Sequence, residues 1–91
     1  MIITICGSKK FANEIYHKAD ILRSYGNTVY TPMFNTCKSI EELVQVHKYK
    51  ILASDVVLIC NYNGYIGEHT QNEIDFAKQC NKLILFTDHL Y

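Results

Sequence analysis

The 91-residue chain has no excess of either charge, since nine Lys and Arg offset nine Asp and Glu. No basic block stands out, which argues against a nucleic-acid polymer gripped by its phosphates. The four cysteines, Cys6, Cys37, Cys60 and Cys80, form no CxxC pair and no zinc-type spacing. Three of them fall in or beside apolar segments, where a free thiol behaves as a small hydrophobe. No apolar run approaches the length of a membrane span, and no leader pattern precedes the strand-like run after Met1. A cytoplasmic protein with reduced thiols and no membrane partner is the expectation. Repeats, linkers and low-complexity segments are also missing, so residues 1–91 read as one domain.

What is present is apolar material, 48% of the residues, which excludes a disordered chain. A chain this short buries only roughly 60–65% of its unfolded surface, so a partner subunit is expected to complete its packing. "IITIC", Ile2 to Cys6, is a continuous β-branched run, as in a strand buried on both faces. Phe11, Ile15, Ala19 and Leu22 then recur at helical spacing, and Gly26 stands where a helix C′ residue belongs. "NTVY" supplies a second strand, ended by the lone proline, Pro32.

Residues 33–39 have no period and read as a loop near a ligand. Ile40, Val44, His47 and Ile51 form the stripe of a second helix, capped by Ser39 with Glu42 three residues on. "DVVLIC" and "KLILFT" are the remaining strands. Between them lies a turn-rich segment and a third helix with Ile74 and Ala77 on one face.

Alternating strands and helices predict an α/β fold with a parallel four-stranded sheet covered on both faces. Right-handed crossovers predict the order 2-1-3-4, a flavodoxin-like (Rossmann-type) three-layer sandwich. Such a sheet binds ligands beyond the carboxyl ends of strands one and three, where the order reverses. The segments leaving those strands are "CGSKK" and "CNYNGYIGEHTQNE", with Gly7, Gly64 and Gly67 permitting close backbone approach. Within the second segment, Thr70 and Glu73 match the S/T-x-x-E capping box, so Glu73 either ties down a helix start or faces the crevice.

The same two segments carry a family resemblance. "ICGSKK", followed by "SDVVLICN" and "GYIGEHTQNEIDFAKQCNKLILF", resembles the nucleoside 2-deoxyribosyltransferase superfamily. Within it the likeness is to 2′-deoxynucleoside 5′-phosphate N-hydrolases and to small phage and bacterial proteins bearing "GYIGESTxxEIxYA". The resemblance implies cleavage or transfer of the N-glycosidic bond of a (2′-deoxy)nucleoside or its 5′-monophosphate, with no cofactor. It places the carboxylate nucleophile at Glu73. That chemistry builds positive charge on the anomeric carbon, which an ionised carboxylate beneath it stabilises or traps as a glycosyl ester.

The family's second carboxylate has two approximate counterparts, His47 and Glu68. His47 lies on an apolar stripe, which favours a hydrogen-bonded core or crevice-wall histidine over a general acid. Glu68 reads first as a solvated loop charge and second as a functional acid. Gly7 and Ser8 fall where sugar or phosphate meets this fold, and Lys10 can stand for the family's basic residue. Phe11 and Ala12 replace its paired glycines, and His69 its usual Ser. Asn61 and Asn63 are candidates for sugar hydroxyls or for Asx turns, and Tyr65, with Tyr62, for stacking on the base. Gly67 completes the binding set. The longer enzymes continue past the position of Tyr91, and they close the crevice with a neighbouring subunit. A homodimer is therefore expected, with "TDHLY" as a contributing segment.

A metal site built from His47, His69, Glu68 and Cys60 matches no known ligand spacing, and none is expected. The alternative to an enzyme is a nucleotide-binding module without catalysis, which would keep the fold and dispense with the second carboxylate.

Overall fold

The computed structural model describes residues 1–34 and 39–88. Four strands form one parallel sheet: β1 (Ile2–Gly7), β2 (Thr28–Tyr30), β3 (Val56–Cys60) and β4 (Leu83–Phe86). Their order is β2-β1-β3-β4, so the sheet reverses direction of growth between β1 and β3. Helices α1 (Ala12–Ser24), α2 (Ile40–Ala53) and α3 (Glu68–Gln79) complete three layers of the flavodoxin-like kind. Of the 33–39 loop, residues 35–38 lie outside the described residues, as do residues 89–91 of the "TDHLY" segment. Among the described residues no helix is long and apolar enough to cross a membrane.

The side-chain alternation of β1 and β3 divides the core in two. Ile3, Ile5, Val56 and Cys60 meet Ile15 and Ala19 of α1 on one face. Cys6, Val57 and Ile59 meet Ile51 of α2 and Ile74 and Ala77 of α3 on the other. The registers Ile5↔Leu58 and Cys6↔Ile59 keep each set in line across the central pair.

Local chemistry explains the boundaries. Ser39 caps α2 by accepting a hydrogen bond from the Glu42 amide at 3.2 Å, as its capping box predicts. Gly26, at φ 90°, ends α1 in a Schellman motif, with its own amide bonded to Arg23 O and that of Asn27 to Leu22 O. Asn81, at φ 56°, ends α3 the same way, through Lys78 O and Ala77 O.

Two expectations change. The apolar stripe of α2 is buried only in its second half: His47 and Ile51 pack on the sheet, whereas Ile40 and Val44 are exposed. The helix rises past the end of β1, and its first turns have no sheet beneath them. The second change is the start of α3. Its N-cap is Gly67, which has no side-chain bond to offer, and Thr70 lies three residues inside the helix. Thr70 and Glu73 therefore do not form a capping box, although the pattern is present in sequence.

Candidate active site

Displacing the start of α3 to Gly67 releases Glu73 from the helix end. Thr70, Glu73, Ile74 and Ala77 follow the i, i+3, i+4, i+7 pattern of one helix face. Thr70, Ile74 and Ala77 are buried on that face, so Glu73 is a carboxylate in an inward-facing stripe. On α2, His47 stands one turn before Ile51 in the corresponding stripe. Cys6 is the last side chain of β1 on the α2–α3 face, because the strand ends at Gly7, whose position faces α1. Strand and helix periodicity thus aim three polar side chains at one point.

They meet there. His47 Nε2 lies 2.5 Å from Glu73 Oε2 and 3.2 Å from Cys6 Sγ. The imidazole N–H donates to the carboxylate, which also accepts from the Cys6 thiol. Burial, then the charge of Glu73, then this hydrogen bond push the Cys6 thiol well above its ordinary pKa. Cys6 is accordingly a neutral donor and not an activated nucleophile. A Cys–His–carboxylate triad also needs the thiol and the acid on different ring nitrogens, whereas here both contact Nε2. Of the three groups, Glu73 reaches solvent best, with 21% of its side chain accessible against 11% for His47.

That solvent is a cavity of about 760 Å³ at the carboxyl end of β1, with Glu73 and His47 on its wall. Ile40, Val44 and Phe76 give it an apolar side. Ser8, Lys9, Lys48 and Lys50 give it a polar and cationic one. Burial lowers the Lys50 pKa, and its ammonium donates to Thr31 O at 3.2 Å. The volume falls in the range of small-molecule sites, and the mix of an apolar wall with few polar groups is typical of them.

Of the residues singled out in sequence, Gly7, Ser8, His47, Tyr65, Gly67, Glu68 and Glu73 line this cavity. Ser8 caps the short 3-10 turn Lys9–Phe11, accepting from the Lys10 amide at 3.3 Å. Gly7 has a packing role besides: a Cβ there would stand 2.9 Å from Ile15 Cδ1 and 3.0 Å from Cys60 O. Glu68 is the first residue of α3 and exposed. Five residues turn a helix by about 140°, so Glu68 and Glu73 leave α3 on different sides.

Lys10 and Asn61 lie elsewhere. Lys10 Nζ sits 4.3 Å from the centroid of the Tyr65 ring, a cation–π contact. Asn61 is fully buried at the end of β3, where its Oδ1 accepts from the Asp88 amide at 3.1 Å. Tyr62 and Tyr65 are brought together by a type I′ turn in which Asn63 (φ 55°) and Gly64 (φ 74°) are both left-handed. Tyr62 turns into the α1 side, its ring 5.0 Å from that of Phe11. Tyr65 alone of the pair reaches the cavity.

Sequence reasoning missed Cys6 as a site residue. The available signal was alternation: Thr4 and Cys6 are the two non-aliphatic positions on the α2–α3 face of β1, and both hydrogen-bond into α2 or its end. Thr4 Oγ1 donates to Lys50 O at 3.0 Å and contacts Ser54 Oγ.

No protein-family model matches the chain, and no curated protein matches it.

Proposed function

We propose that the chain cleaves or transfers the N-glycosidic bond of a (2′-deoxy)nucleoside or nucleoside 5′-monophosphate, with Glu73 as the carboxylate nucleophile. The observation that carries this reading is the partly accessible Glu73 carboxylate on the wall of a nucleoside-sized cavity, at the strand ends where this fold binds ligands. The resemblance of "GYIGEHTQNEIDFA" to the deoxyribosyltransferase motif supplies the chemistry.

In this reading Glu73 attacks the anomeric carbon, and the C–N bond to the base breaks as the glycosyl ester forms. The base departs protonated, with Glu68 at the cavity rim as the candidate donor. Water or a second base then takes the sugar from Glu73. His47 holds the carboxylate by its N–H and fixes the direction of attack. Ile40, Val44 and Tyr65 provide a surface for the base. Ser8, Lys9 and Lys50 face the sugar and any 5′-phosphate. The chemistry requires no cofactor, and the proposed setting is the cytoplasm. A homodimer is part of the proposal. The exposed Leu83 and Leu85 on the edge strand β4 support it.

The second reading is a nucleotide-binding module without catalysis. It is favoured by the groups around Glu73, which are an imidazole and a thiol where retaining glycosidases place a second carboxylate about 5–5.5 Å away. One experiment separates the two. The protein is incubated with each deoxynucleoside and a different free base, and products are resolved by chromatography. Base release or exchange that vanishes in Glu73→Gln supports the enzyme. Micromolar nucleotide binding without turnover, retained in Glu73→Gln, supports the module.

A further inference from the structure

We infer that Cys6, His47 and Glu73 form a binding site for one thiophilic divalent cation of the zinc type, with its fourth coordination position open to the cavity. The three donors come from β1, α2 and α3, and their ligand atoms all lie within 4.8 Å of one another. They are one sulfur, one imidazole nitrogen and one carboxylate oxygen, the donor types zinc takes. Three protein ligands plus one open position is the arrangement of zinc sites that exchange ligands.

The geometry is close to what the ion needs. Zinc bond lengths of about 2.0–2.3 Å at tetrahedral angles place neighbouring donors roughly 3.3–3.6 Å apart. Cys6 Sγ and His47 Nε2 are already 3.2 Å apart. The His47–Glu73 contact, at 2.5 Å, would open by roughly 0.8 Å to reach that spacing, within the reach of a glutamate side-chain rotation. Both Cys6 and Glu73 converge on the same ring nitrogen, Nε2, which is unsuited to proton relay and well suited to a shared ion.

The proton balance is simple. The ion displaces the thiol proton, which goes to solvent. The imidazole moves its proton from Nε2 to Nδ1 and coordinates through Nε2. Thiolate and carboxylate then neutralise the two positive charges of the ion. Metal binding therefore releases one proton and strengthens as pH rises.

The consequence for the cavity is competition. The bound ion draws off the negative charge of the Glu73 carboxylate that attack on an anomeric carbon would use, so metal binding suppresses glycosyl transfer. The metal site itself rests on the cluster geometry and stands apart from the glycosyl reading.

The test is a cobalt(II) titration of the reduced, chelator-stripped protein, read by absorbance. The expected result is saturation at one equivalent with an intense near-ultraviolet thiolate-to-cobalt band, abolished by added zinc. Cys6→Ser should lose the band while keeping its far-ultraviolet circular dichroism. Glu73→Gln should keep the band but weaken zinc binding beyond the roughly 10–100-fold that loss of an outer-shell partner costs. The triple variant Cys37→Ser, Cys60→Ser, Cys80→Ser should retain the band. Absence of the band in wild type, or its persistence in Cys6→Ser, overturns the inference. Cobalt binding without base exchange leaves the metal site standing; base exchange without cobalt binding removes it and leaves the enzyme reading intact.

Discussion

The two faces of the sheet are built from alternate residues of the same strands, yet they differ in kind. The face under α1 is apolar throughout its core: Ile3, Ile5, Val56 and Cys60 against Ile15 and Ala19. One helix covers it, and β4 lies beyond that helix with Leu83 and Leu85 exposed. The face under α2 and α3 has two helices and admits polar groups into its buried layer, Thr4 and Ser54 at one end and the Cys6–His47–Glu73 cluster at the other. Within these two groups the polar side chains contact one another or donate to a backbone carbonyl, which is the condition for burying them. The α1 face is the more uniformly apolar core, and the α2–α3 face gives up part of its apolar area to the cluster beside the cavity.

If that division is right, core truncation should hurt most under α1. Ile15 is fully buried and fills the gap left by Gly7. Ile15→Ala should destabilise by about 2–5 kcal/mol, measured by urea unfolding. In a domain this small such a loss is a large fraction of the total. Gly7→Ala should cost about 1–3 kcal/mol, since the added methyl meets Ile15 and the Cys60 backbone oxygen. A neutral Gly7→Ala would show that the α1 face is looser than described.

On the opposite face, Glu73→Gln should leave the unfolding midpoint nearly unchanged while reducing base exchange about a thousandfold or more. A fall in stability comparable to that of Ile15→Ala would make Glu73 a structural residue and erase the contrast.

A further prediction concerns pH. Burial raises the Cys60 thiol and pushes the Tyr62 phenol up to about 12, both on the α1 side. Below the unfolded thiol's pKa of about 8.5, both groups are protonated in folded and unfolded chains, and stability is unaffected by them. Above it the unfolded chain gives up the thiol proton first, and above about 10 the phenol proton, so stability falls as pH rises. Urea midpoints from pH 7.5 to 10.5 should decline, and Cys60→Ala should flatten part of that decline. An unchanged slope in Cys60→Ala would contradict the burial ascribed to this thiol.

The smallest effect belongs to the exposed edge. Leu83→Lys should change monomer stability by no more than about 0.5 kcal/mol. Sedimentation at micromolar concentration should give a dimer for the wild type and a monomer for Leu83→Lys. A monomeric wild type would leave the outer half of this face uncovered.

Much of the fold was legible because its signals are local. β-Branched runs marked the strands, Ser39 with Glu42 marked the start of α2, and Gly26 marked the end of α1. Strand order followed from connection handedness. Pieces of the site were legible singly, as Glu73 by motif and His47 by its place in an apolar stripe. Their pairing was not, because the partners are 26 residues apart and only packing of α2 against α3 joins them. Thr70 and Glu73 misled for a related reason: the capping pattern is four residues long, and the helix it suggests in fact starts almost a turn earlier, with Gly67 as its N-cap. Cys6 read as a small hydrophobe because the chemistry of a thiol depends on what faces it. Ile40 and Val44 kept helical period but lost burial, since period says nothing about where the sheet beneath a helix ends.

The central claim is that the Glu73 carboxylate takes the sugar. Its most direct test is mass spectrometry of protein quenched in acid during turnover of a deoxynucleoside. The account predicts a mass increase of one deoxyribosyl unit, located on the peptide containing Glu73 and absent in Glu73→Gln. Turnover that persists in Glu73→Gln, or an adduct on any other residue, would contradict it.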